Sequence, residues 1–324
     1  MNKYFETNIN DTTTNEITFT HCINLIEDLN NKNIEQGEIL KFAGITEEYD
    51  VYNPSAPFIV NGIEFITARV EKTKDIANSQ VMLFKKINGV WSPANEAPTF
   101  EMEDGFAAYI NKELIIGGVE TFKDPIPEYH INYKTVFYRG KDPTSLERFA
   151  TGPDKMKDIR IIYLTNNKIG VFTRPQGKIG GKGKIGYIEI EKLEDLNDKS
   201  TYDNAKIINN QFPEGEWGGV NELHLLPNGK IGVIGHIAYE DNTGKHYYAM
   251  AFVYNPIDDT ASPIKIIATR KNFPDGKSKT NKHADIIFPG GLIRNNDGTA
   301  TLYAGLGDAE AGKITIEDPF KDEK

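Results

Sequence analysis

The stretch Phe58-Ile59-Val60-Asn61-Gly62-Ile63-Glu64-Phe65-Ile66 places an Asn-Gly pair between two runs of β-type residues. Asn-Gly supplies the positive φ angles that a two-residue hairpin turn requires. The sequence therefore predicts two antiparallel strands that meet at Asn61.

Asn-centred turns of this kind recur along the chain. The other copies lie between apolar runs and have as turn residues Asn111, Asn167, Asn228 and Asn296. Successive turn residues are 50, 56, 61 and 68 positions apart, which leaves room for about four strands in each unit. Five such units predict an all-β protein, a single five-bladed β-propeller domain over residues 1–324, in which segment 1–44 precedes the repeat and could help to close the ring. A further Asn-Gly pair, Asn88-Gly89, does not fit this spacing. The alternative interpretation is therefore that these turns are hairpins of the kind common to any β protein, without a repeat.

Composition narrows the class of partner. The 324 residues are 39% hydrophobic, enough for a core, and 37 basic against 47 acidic residues give a net charge of −10. This charge disfavours nucleic acid and an anionic membrane, so we expect neither as a partner. A lone cysteine, Cys22, and a polar N-terminus without a signal sequence predict a cytoplasmic protein, and a homo-oligomer stays open.

Polar residues recur after the turns at matching distances. Seven positions after Gly62, Asn167, Gly229 and Gly298 come Arg69, Arg174, His236 and Gly305, respectively, the last just ahead of Asp308. We expect the second strand of each hairpin to end there and these groups to converge near a central axis. A charge at the end of an apolar run is unfavourable unless it is paired or binds an anion, and an arginine fork suits phosphate. Ion pairs between neighbouring units are the alternative.

The pair Glu103-Asp104 precedes another predicted strand, Ala107 to Ile110. A carboxylic acid there could act as a general acid if its surroundings raise its pKa, although Asp-Gly before a strand is also a common turn. The histidines lack HExxH spacing, so no metal is predicted, and the glycine-rich segment 178–184 lacks the Gly-Lys-Ser/Thr ending of a phosphate-binding loop. Cys22 is a poor nucleophile candidate.

Several motifs together resemble glycoside hydrolase family 130, the β-mannoside phosphorylases. Segment 282–292 followed by 302–308 is similar to the end of that family's last blade, and over residues 45–312 further motifs occur in the family's order: 52–56, Arg69, Glu103-Asp104, Lys157-Asp158, 173–175 and Gly235-His236. Gly105-Phe106 and Thr173 depart from the family pattern. The chain resembles more closely the mannosyltransferase/phosphorylases of glycosyltransferase family 108.

The resemblance implies an inverting enzyme on β-1,2-linked manno-oligosaccharides. Inorganic phosphate would be the co-substrate, held by Arg174 and His236, and no other cofactor is implied. Asp104 would protonate the leaving oxygen through a sugar hydroxyl. The product would be α-mannose 1-phosphate, and the reverse reaction would be mannosyl transfer. The substrate-binding residues it implies are Asn53, Ser55, Arg69, Glu103, Asp158 and Asp308. The expected ligands are therefore a manno-oligosaccharide or a sugar phosphate.

Two other functions remain open. An inverting hydrolase of the same propeller class would need a carboxylate base, for which Asp308, Asp285 and Glu222 are available. A catalytically inactive carbohydrate-binding propeller is suggested by the departure at Gly105-Phe106.

Overall fold

The computed structural model describes residues 21–30, 34–73, 78–123, 131–209 and 211–323. Most of this part of the chain is β-structure, as the turn pattern predicts. Residues 1–20 of the N-terminal segment lie outside the described residues. The helices are short: α1 (Cys22–Asn30), α2 (Gly177–Gly180) and α3 (Lys199–Asp203). Single 3₁₀ turns occur at Leu193–Asn197, Arg270–Asn272 and Asn281–His283.

The first two sheets are antiparallel and come from consecutive stretches of chain. The first sheet consists of β2 (Tyr49–Tyr52), β3 (Phe58–Val60), β4 (Ile63–Lys72), β5 (Gln80–Ile87) and β6 (Val90–Pro93), with order β2-β4-β5-β6 and β3 paired to β4. The second sheet consists of β7 (Glu103–Ile110), β8 (Glu113–Lys123), β9 (Ile131–Gly140) and β10 (Glu147–Thr151), in sequential order.

The third sheet is built in the same way, from β11 (Arg160–Tyr163), β12 (Ile169–Thr173), β13 (Gly186–Ile190) and β14 (Lys206–Ile207). The remaining strands form two antiparallel groups. One group is β15 (Trp217–Leu225), β16 (Ile231–Glu240), β17 (Lys245–Asn255), β18 (Thr260–Ala261) and β19 (Lys265–Ala268); the other is β20 (Asp285–Arg294), β21 (Thr299–Leu306), β22 (Glu310–Glu317) and β1 (Glu38–Ile39).

A short parallel pairing joins these last two groups into one nine-stranded sheet. His246 of β17 pairs with Asp285 of β20, and Tyr247 pairs with Ile286. Strand β1, from the N-terminal segment, pairs with β22 near the C-terminus, with Glu38 opposite Lys313. The segment before the repeat thus contributes a strand to the last group.

All five predicted Asn turns connect antiparallel strands, which confirms them as hairpins: β3–β4, β7–β8, β11–β12, β15–β16 and β20–β21. At the first turn Asn61 and Gly62 have φ of 50° and 79°, as the tight hairpin turn requires. The expectation that the second strands end seven residues later is wrong for two of them. Strand β4 continues past Arg69 to Lys72, and β16 continues past His236 to Glu240, because both stay paired to their neighbours.

Alternating apolar side chains of neighbouring sheets form the core. Phe84, Phe137 and Phe172 are completely buried, and burial of a side chain of this size stabilises the fold by roughly 1.5–3 kcal/mol. Helix α1 adds to this core through Leu25 and Leu29, one turn apart on the same face. The sequence left open whether 24–33 forms a helix or a strand; as far as Asn30 it is a helix, and 31–33 lie outside the described residues.

Candidate active site

Four of the proposed site residues share an unusual backbone conformation. Asn53, Asp104, Asp158 and Asp308 have φ of 46°, 51°, 59° and 54°, the left-handed region that side chains with a Cβ rarely adopt. Asn and Asp tolerate this region best, yet such residues still carry strain that clusters at functional sites. Among the described residues the same conformation occurs at hairpin turns such as Asn61 and Asn111, so it is a shared feature of these four candidates and not a mark of the site alone.

The carboxylate of Asp104 is held by two other candidates. Nδ2 of Asn53 donates a hydrogen bond of 2.7 Å to Oδ1 of Asp104, and Nη1 of Arg69 lies 3.5 Å from the same oxygen. A β-bulge between Glu103 and Phe106 shifts the pairing of β7 with β8 at this point. Asn53 in turn packs against Gly305, where an added Cβ would lie 1.8 Å from the amide oxygen. Gly305 is thus required for Asn53 to reach Asp104.

Arg69 is the shared cation of a group of carboxylates. Its Nη2 lies 2.8 Å from Oε2 of Glu71 and 3.0 Å from Oε1 of Glu103, and its guanidinium lies over the ring of Tyr52 at 5.1 Å. Burial lowers the pKa of Arg69, but the charges of Asp104 and Glu103 more than offset this and raise it. Arg69 therefore stays charged and neutralises part of the cluster.

Glu71 completes this network, and the sequence analysis did not identify it. Its buried carboxylate accepts hydrogen bonds from Tyr52 at 2.9 Å and Ser79 at 2.6 Å and forms an ion pair with Lys279. Burial raises the pKa of Glu71, but the Lys279 and Ser79 bonds outweigh it and lower the pKa. Because side chains alternate along a strand, the spacing from Arg69 to Glu71 on β4 was a usable signal, whereas Lys279 lies in a loop with no pattern.

Two further carboxyl groups near Asp104 hold protons more tightly than usual. Burial raises the pKa of Glu103; Arg69 opposes that shift and the charge of Asp104 adds to it. Burial and the charge of Asp104 likewise raise the pKa of Asp308, against the opposing effect of Arg69 and of His283, whose Nε2 lies 3.8 Å away. The negative charge of Asp104 and burial therefore both favour the protonated form of Glu103 and of Asp308.

Arg174 and Asp158 form a second, buried cluster. Nε of Arg174 donates to the carbonyl of Gly218 at 2.6 Å and lies 3.4 Å from Oδ2 of Asp158. Nη1 of Arg174 and both carboxylate oxygens of Asp158 are buried without a hydrogen-bond partner. Buried polar groups are normally satisfied, so these unpaired atoms are what a ligand with donors and acceptors would complete.

His236 lies beside this cluster as a neutral ring. It is 2% exposed, and burial lowers its pKa to about 3. Its Nδ1 lies 2.8 Å from Oδ1 of Asn221, so Nδ1 carries the proton and Nε2 is left as an acceptor. Tyr247 and Phe288 pack on the ring, with centroids 5.7 Å and 5.0 Å away. Asn221, which the sequence analysis also missed, therefore sets the hydrogen-bonding character of His236.

Gly219 shows how closely the three groups approach. A Cβ on Gly219 would lie 2.8 Å from Cδ of Arg174, 2.9 Å from Cε1 of His236 and 3.0 Å from Oδ2 of Asp158. All three side chains therefore surround one backbone position of β15. The structure brings together the two residues predicted to hold phosphate and one of those predicted to bind sugar.

Lys157 links the two clusters electrostatically. Burial lowers the pKa of Lys157, but the charges of Asp158 and Asp104 raise it overall, so the group remains a cation. The same charge lowers the pKa of Glu103 and of Asp308 against the effect of burial. Asp104 of the first cluster and Asp158 of the second thus both interact with the ammonium of Lys157.

Other candidates have their polar atoms engaged within the fold. Ser55 Oγ donates to the carbonyl of Ala56 and accepts from the amide of Thr67, so it braces the loop that follows Asn53. Glu222 accepts from the amide of Leu292 at 2.6 Å and contacts His224 at 2.7 Å.

Asp285 is bound in a similar way by His246 at 2.8 Å and Tyr248 at 2.6 Å. The Cys22 thiol is buried, and desolvation raises its pKa, which makes it unsuited to act as a nucleophile. Among the described residues no helix is long and apolar enough to cross a bilayer.

Comparison with known proteins identifies related sequences and structures. A family model described as "Protein of unknown function (DUF1861)" matches residues 27–322, while no match was found among curated proteins. A mannose phosphorylase from Leishmania mexicana, solved in complex with a phosphate ion, is 36% identical over 92% of this chain and 93% of its own, with a TM-score of 0.84. A GDP-Man-dependent mannosyltransferase from the same organism is 35% identical over 93% and 96%, with a TM-score of 0.83. A β-1,2-mannobiose phosphorylase from Listeria innocua, 15% identical over 84% and 92%, has a similar fold, with a TM-score of 0.62.

Proposed function

The chain belongs to the DUF1861 family and is related to the Leishmania mannose phosphorylase and mannosyltransferase, and from this premise we propose that it is a carbohydrate-active enzyme that moves mannosyl units to or from phosphate. The substrates that we propose are β-1,2-linked manno-oligosaccharides. The β-1,2-mannobiose phosphorylase from Listeria innocua has a similar fold, which is consistent with this substrate class. The linkage that this protein acts on is our inference.

For the architecture, we propose a single domain in the form of a five-bladed propeller. Its support is the five antiparallel groups that follow one another along the chain, each containing one of the Asn hairpins. The pairing of β1 with β22 is consistent with closure of such a ring near the two ends of the described chain.

One observation carries the function: Asp104, held by Asn53 and Arg69, and buried Arg174, whose Nη1 is unpaired, belong to two clusters that both interact with the charge of Lys157. In the proposed reaction an oxygen of phosphate attacks the anomeric carbon of the terminal mannose, and the bond from that carbon to the glycosidic oxygen breaks. Asp104 gives a proton to a sugar hydroxyl, whose own proton passes to the leaving oxygen. The products are α-mannose 1-phosphate and the shortened saccharide, and the reverse reaction is mannosyl transfer.

The two phosphate ligands that we propose have different roles. Arg174 supplies charge and the unpaired Nη1, which suits a phosphate oxygen. Neutral His236 accepts a hydrogen bond at Nε2, so it suits an oxygen of phosphate that still carries a proton. Asn53, Arg69, Glu103, Asp158 and Asp308 are left to bind sugar hydroxyls, and Ser55 to support them from the loop.

Hydrolysis is a weaker fit to the same geometry. An inverting hydrolase needs an ionised carboxylate to activate water. Burial and the charge of Asp104 raise the pKa of Asp308, which disfavours the ionised form that a base needs, and the oxygens of Glu222 and Asp285 are bound within the fold. A phosphorylase needs no such base because phosphate itself is the anionic nucleophile. We propose phosphate as the co-substrate in a cytoplasmic protein.

The decisive experiment supplies β-1,2-mannobiose with and without inorganic phosphate and follows the products by phosphorus and proton NMR. We expect α-mannose 1-phosphate to appear only with phosphate. Parallel reactions supply α-mannose 1-phosphate or GDP-mannose with mannose and follow chain growth. Equal cleavage in phosphate-free buffer would establish a hydrolase, and binding of mannobiose without turnover under any condition would establish an inactive binding protein.

A further inference from the structure

Beside the candidate active site, a groove separates the first sheet from the second. It has a volume of about 630 Å³, within the range of about 300–1,000 Å³ typical of small-molecule sites. Its lining includes polar, charged and aromatic side chains: Ser79, Glu103, Glu120, Phe122, Tyr138 and Arg148. No motif in the sequence pointed to this groove.

The inner end of the groove adjoins the carboxyl cluster. Glu103 lines the groove and accepts a hydrogen bond of 3.0 Å from Arg69, the same guanidinium that lies 3.5 Å from Asp104. Ser79, also in the lining, accepts from Nε of Arg69 at 3.0 Å. A chain that leaves the reacting sugar beside Asp104 can therefore enter the groove past Glu103.

The walls combine aromatic surface with polar groups. The partly exposed ring of Phe122 has the ammonium of Lys134 4.6 Å from its centroid, and Tyr138 packs on Phe100 at 4.5 Å. Carboxylate and hydroxyl groups, among them those of Glu120 and Ser79, line the same groove. Sugars offer apolar C–H faces and hydroxyl edges at once, and a wall of this mixed kind contacts both.

The charges of the groove argue against a nucleotide. Glu101, Glu103 and Glu120 line it with a single guanidinium, Arg148. That guanidinium already binds Glu120, with Nη1 2.6 Å from Oε2. Among the described lining residues, no cation is therefore left to neutralise the charge of a diphosphate.

We propose that this groove binds the neutral oligosaccharide chain beyond the reacting mannose, and so sets the preferred chain length of the substrate or acceptor. The proposal rests on the proposed function, because it assigns a ligand of the same reaction to a second surface. Phe122 is one of the half-buried aromatic side chains that line the groove, and its substitution tests the proposal.

The test compares β-1,2-manno-oligosaccharides from the disaccharide to the pentasaccharide as substrates. The measured quantity is the ratio of kcat/KM for the pentasaccharide to kcat/KM for the disaccharide. We expect Phe122→Ala to lower this ratio about tenfold, the loss of one well-placed aromatic contact. Phe122→Leu keeps apolar bulk without a ring face and replaces Phe122→Ala if that variant does not fold.

Tyr49→Ala is the matched control, because Tyr49 is another partly exposed ring under a lysine, with Lys72 6.0 Å from its centroid. It should leave the ratio unchanged. An unchanged ratio in the Phe122 variants, or a fall as large in Tyr49→Ala, would overturn the proposal.

Calorimetric binding of the pentasaccharide and of GDP separates this proposal from the proposed function. If the wild-type protein turns nothing over, weaker pentasaccharide binding by Phe122→Ala still supports the groove while the proposed reaction fails. If Phe122→Ala weakens GDP binding and leaves pentasaccharide binding intact, the groove holds a nucleotide and the proposal is wrong.

Discussion

Asn221 fixes the orientation of His236, with its Oδ1 2.8 Å from Nδ1 of the ring and both side chains buried. Asn221 lies at a β-bulge of β15, and its backbone carbonyl also accepts a hydrogen bond of 2.8 Å from Nε of Arg160. One residue thus sets which nitrogen of His236 carries the proton, and the free Nε2 becomes the acceptor that the proposed phosphate site uses.

The first prediction replaces that partner by Asn221→Asp. A carboxylate at this position favours the protonated imidazole and raises the pKa of His236 from its depressed value of about 3. His236 then loses its acceptor, so KM for phosphate should rise about tenfold at low pH, where the ring is charged. Asn228→Asp, on the turn of the same hairpin, is the control. Identical pH profiles of kcat/KM for phosphate in Asn221→Asp and the wild type would contradict the assignment.

The second prediction concerns the acid. Asp104→Asn should lower kcat by about 10²–10⁴, since the amide cannot donate a carboxyl proton. The fold should persist, because Asn adopts the left-handed conformation as readily as Asp. Asp259→Asn is a matched control: Asp259 has φ of 57° and binds the Tyr254 hydroxyl at 2.7 Å, in a turn on another part of the surface. Steady-state rates and melting temperatures of both variants test this. An equal fall of kcat in Asp104→Asn and Asp259→Asn would contradict the role of Asp104.

The third prediction removes one of the two cations that contact a buried carboxylate. Lys279→Met leaves Glu71 with Arg69 as its cationic partner and should destabilise the fold by about 1.5–3 kcal/mol in denaturant unfolding. The pKa of Glu71 is lowered in the folded state, so its stabilising effect is complete above the unfolded value near 4.5 and is lost as the pH falls through the folded pKa.

In Lys279→Met that loss should begin at higher pH, and a second change, Glu71→Gln, should recover part of the stability. Lys321→Met, which breaks an exposed pair with Glu317, serves as the control and should cost less than about 1 kcal/mol. A loss in Lys279→Met no larger than in this control would count against the network.

The fourth prediction concerns the parallel pairing of β17 with β20. Burial lowers the pKa of His246, but hydrogen bonds from the ring to Asp285 and Asp241 raise it overall. The stabilising effect is therefore complete below the unfolded pKa near 6.5 and is lost as the pH rises through the folded pKa. His246→Gln should remove this part of the pH dependence when melting temperature is followed from pH 5 to 9. Parallel curves for the two proteins would contradict it.

The sequence predicted the parts of the fold that local chemistry determines. Asn61 and Gly62 require a particular turn, and five such turns predict the hairpins that the structure contains. Arg69 and His236 lie in the two clusters, at the same distance from their turns. The register of a hairpin determines how far along the strand, and on which face, a residue at that distance lies. The end points of β4 and β16 were not predictable, since they depend on pairing with strands far along the chain.

Residues that act across the fold were beyond the reach of local patterns. Lys279 contacts Glu71 over a separation of more than 200 positions, from a loop whose neighbours give no periodicity. Asn221 resembles any polar residue in a strand until the ring of His236 is placed against it. The groove beside Glu103 likewise exists only once two sheets are packed together.

The left-handed backbone at Asn53, Asp104, Asp158 and Asp308 has a consequence for how the protein can change over generations. At these positions few residues besides Asn, Asp and Gly fit without distortion, so the alternatives open to natural variation are few. Asn and Asp codons differ by a single base. At Asp104, the acid of the proposed reaction, one mutational step can therefore replace the carboxyl by an amide that the backbone accepts, and the architecture would stay intact while the proton donor is lost.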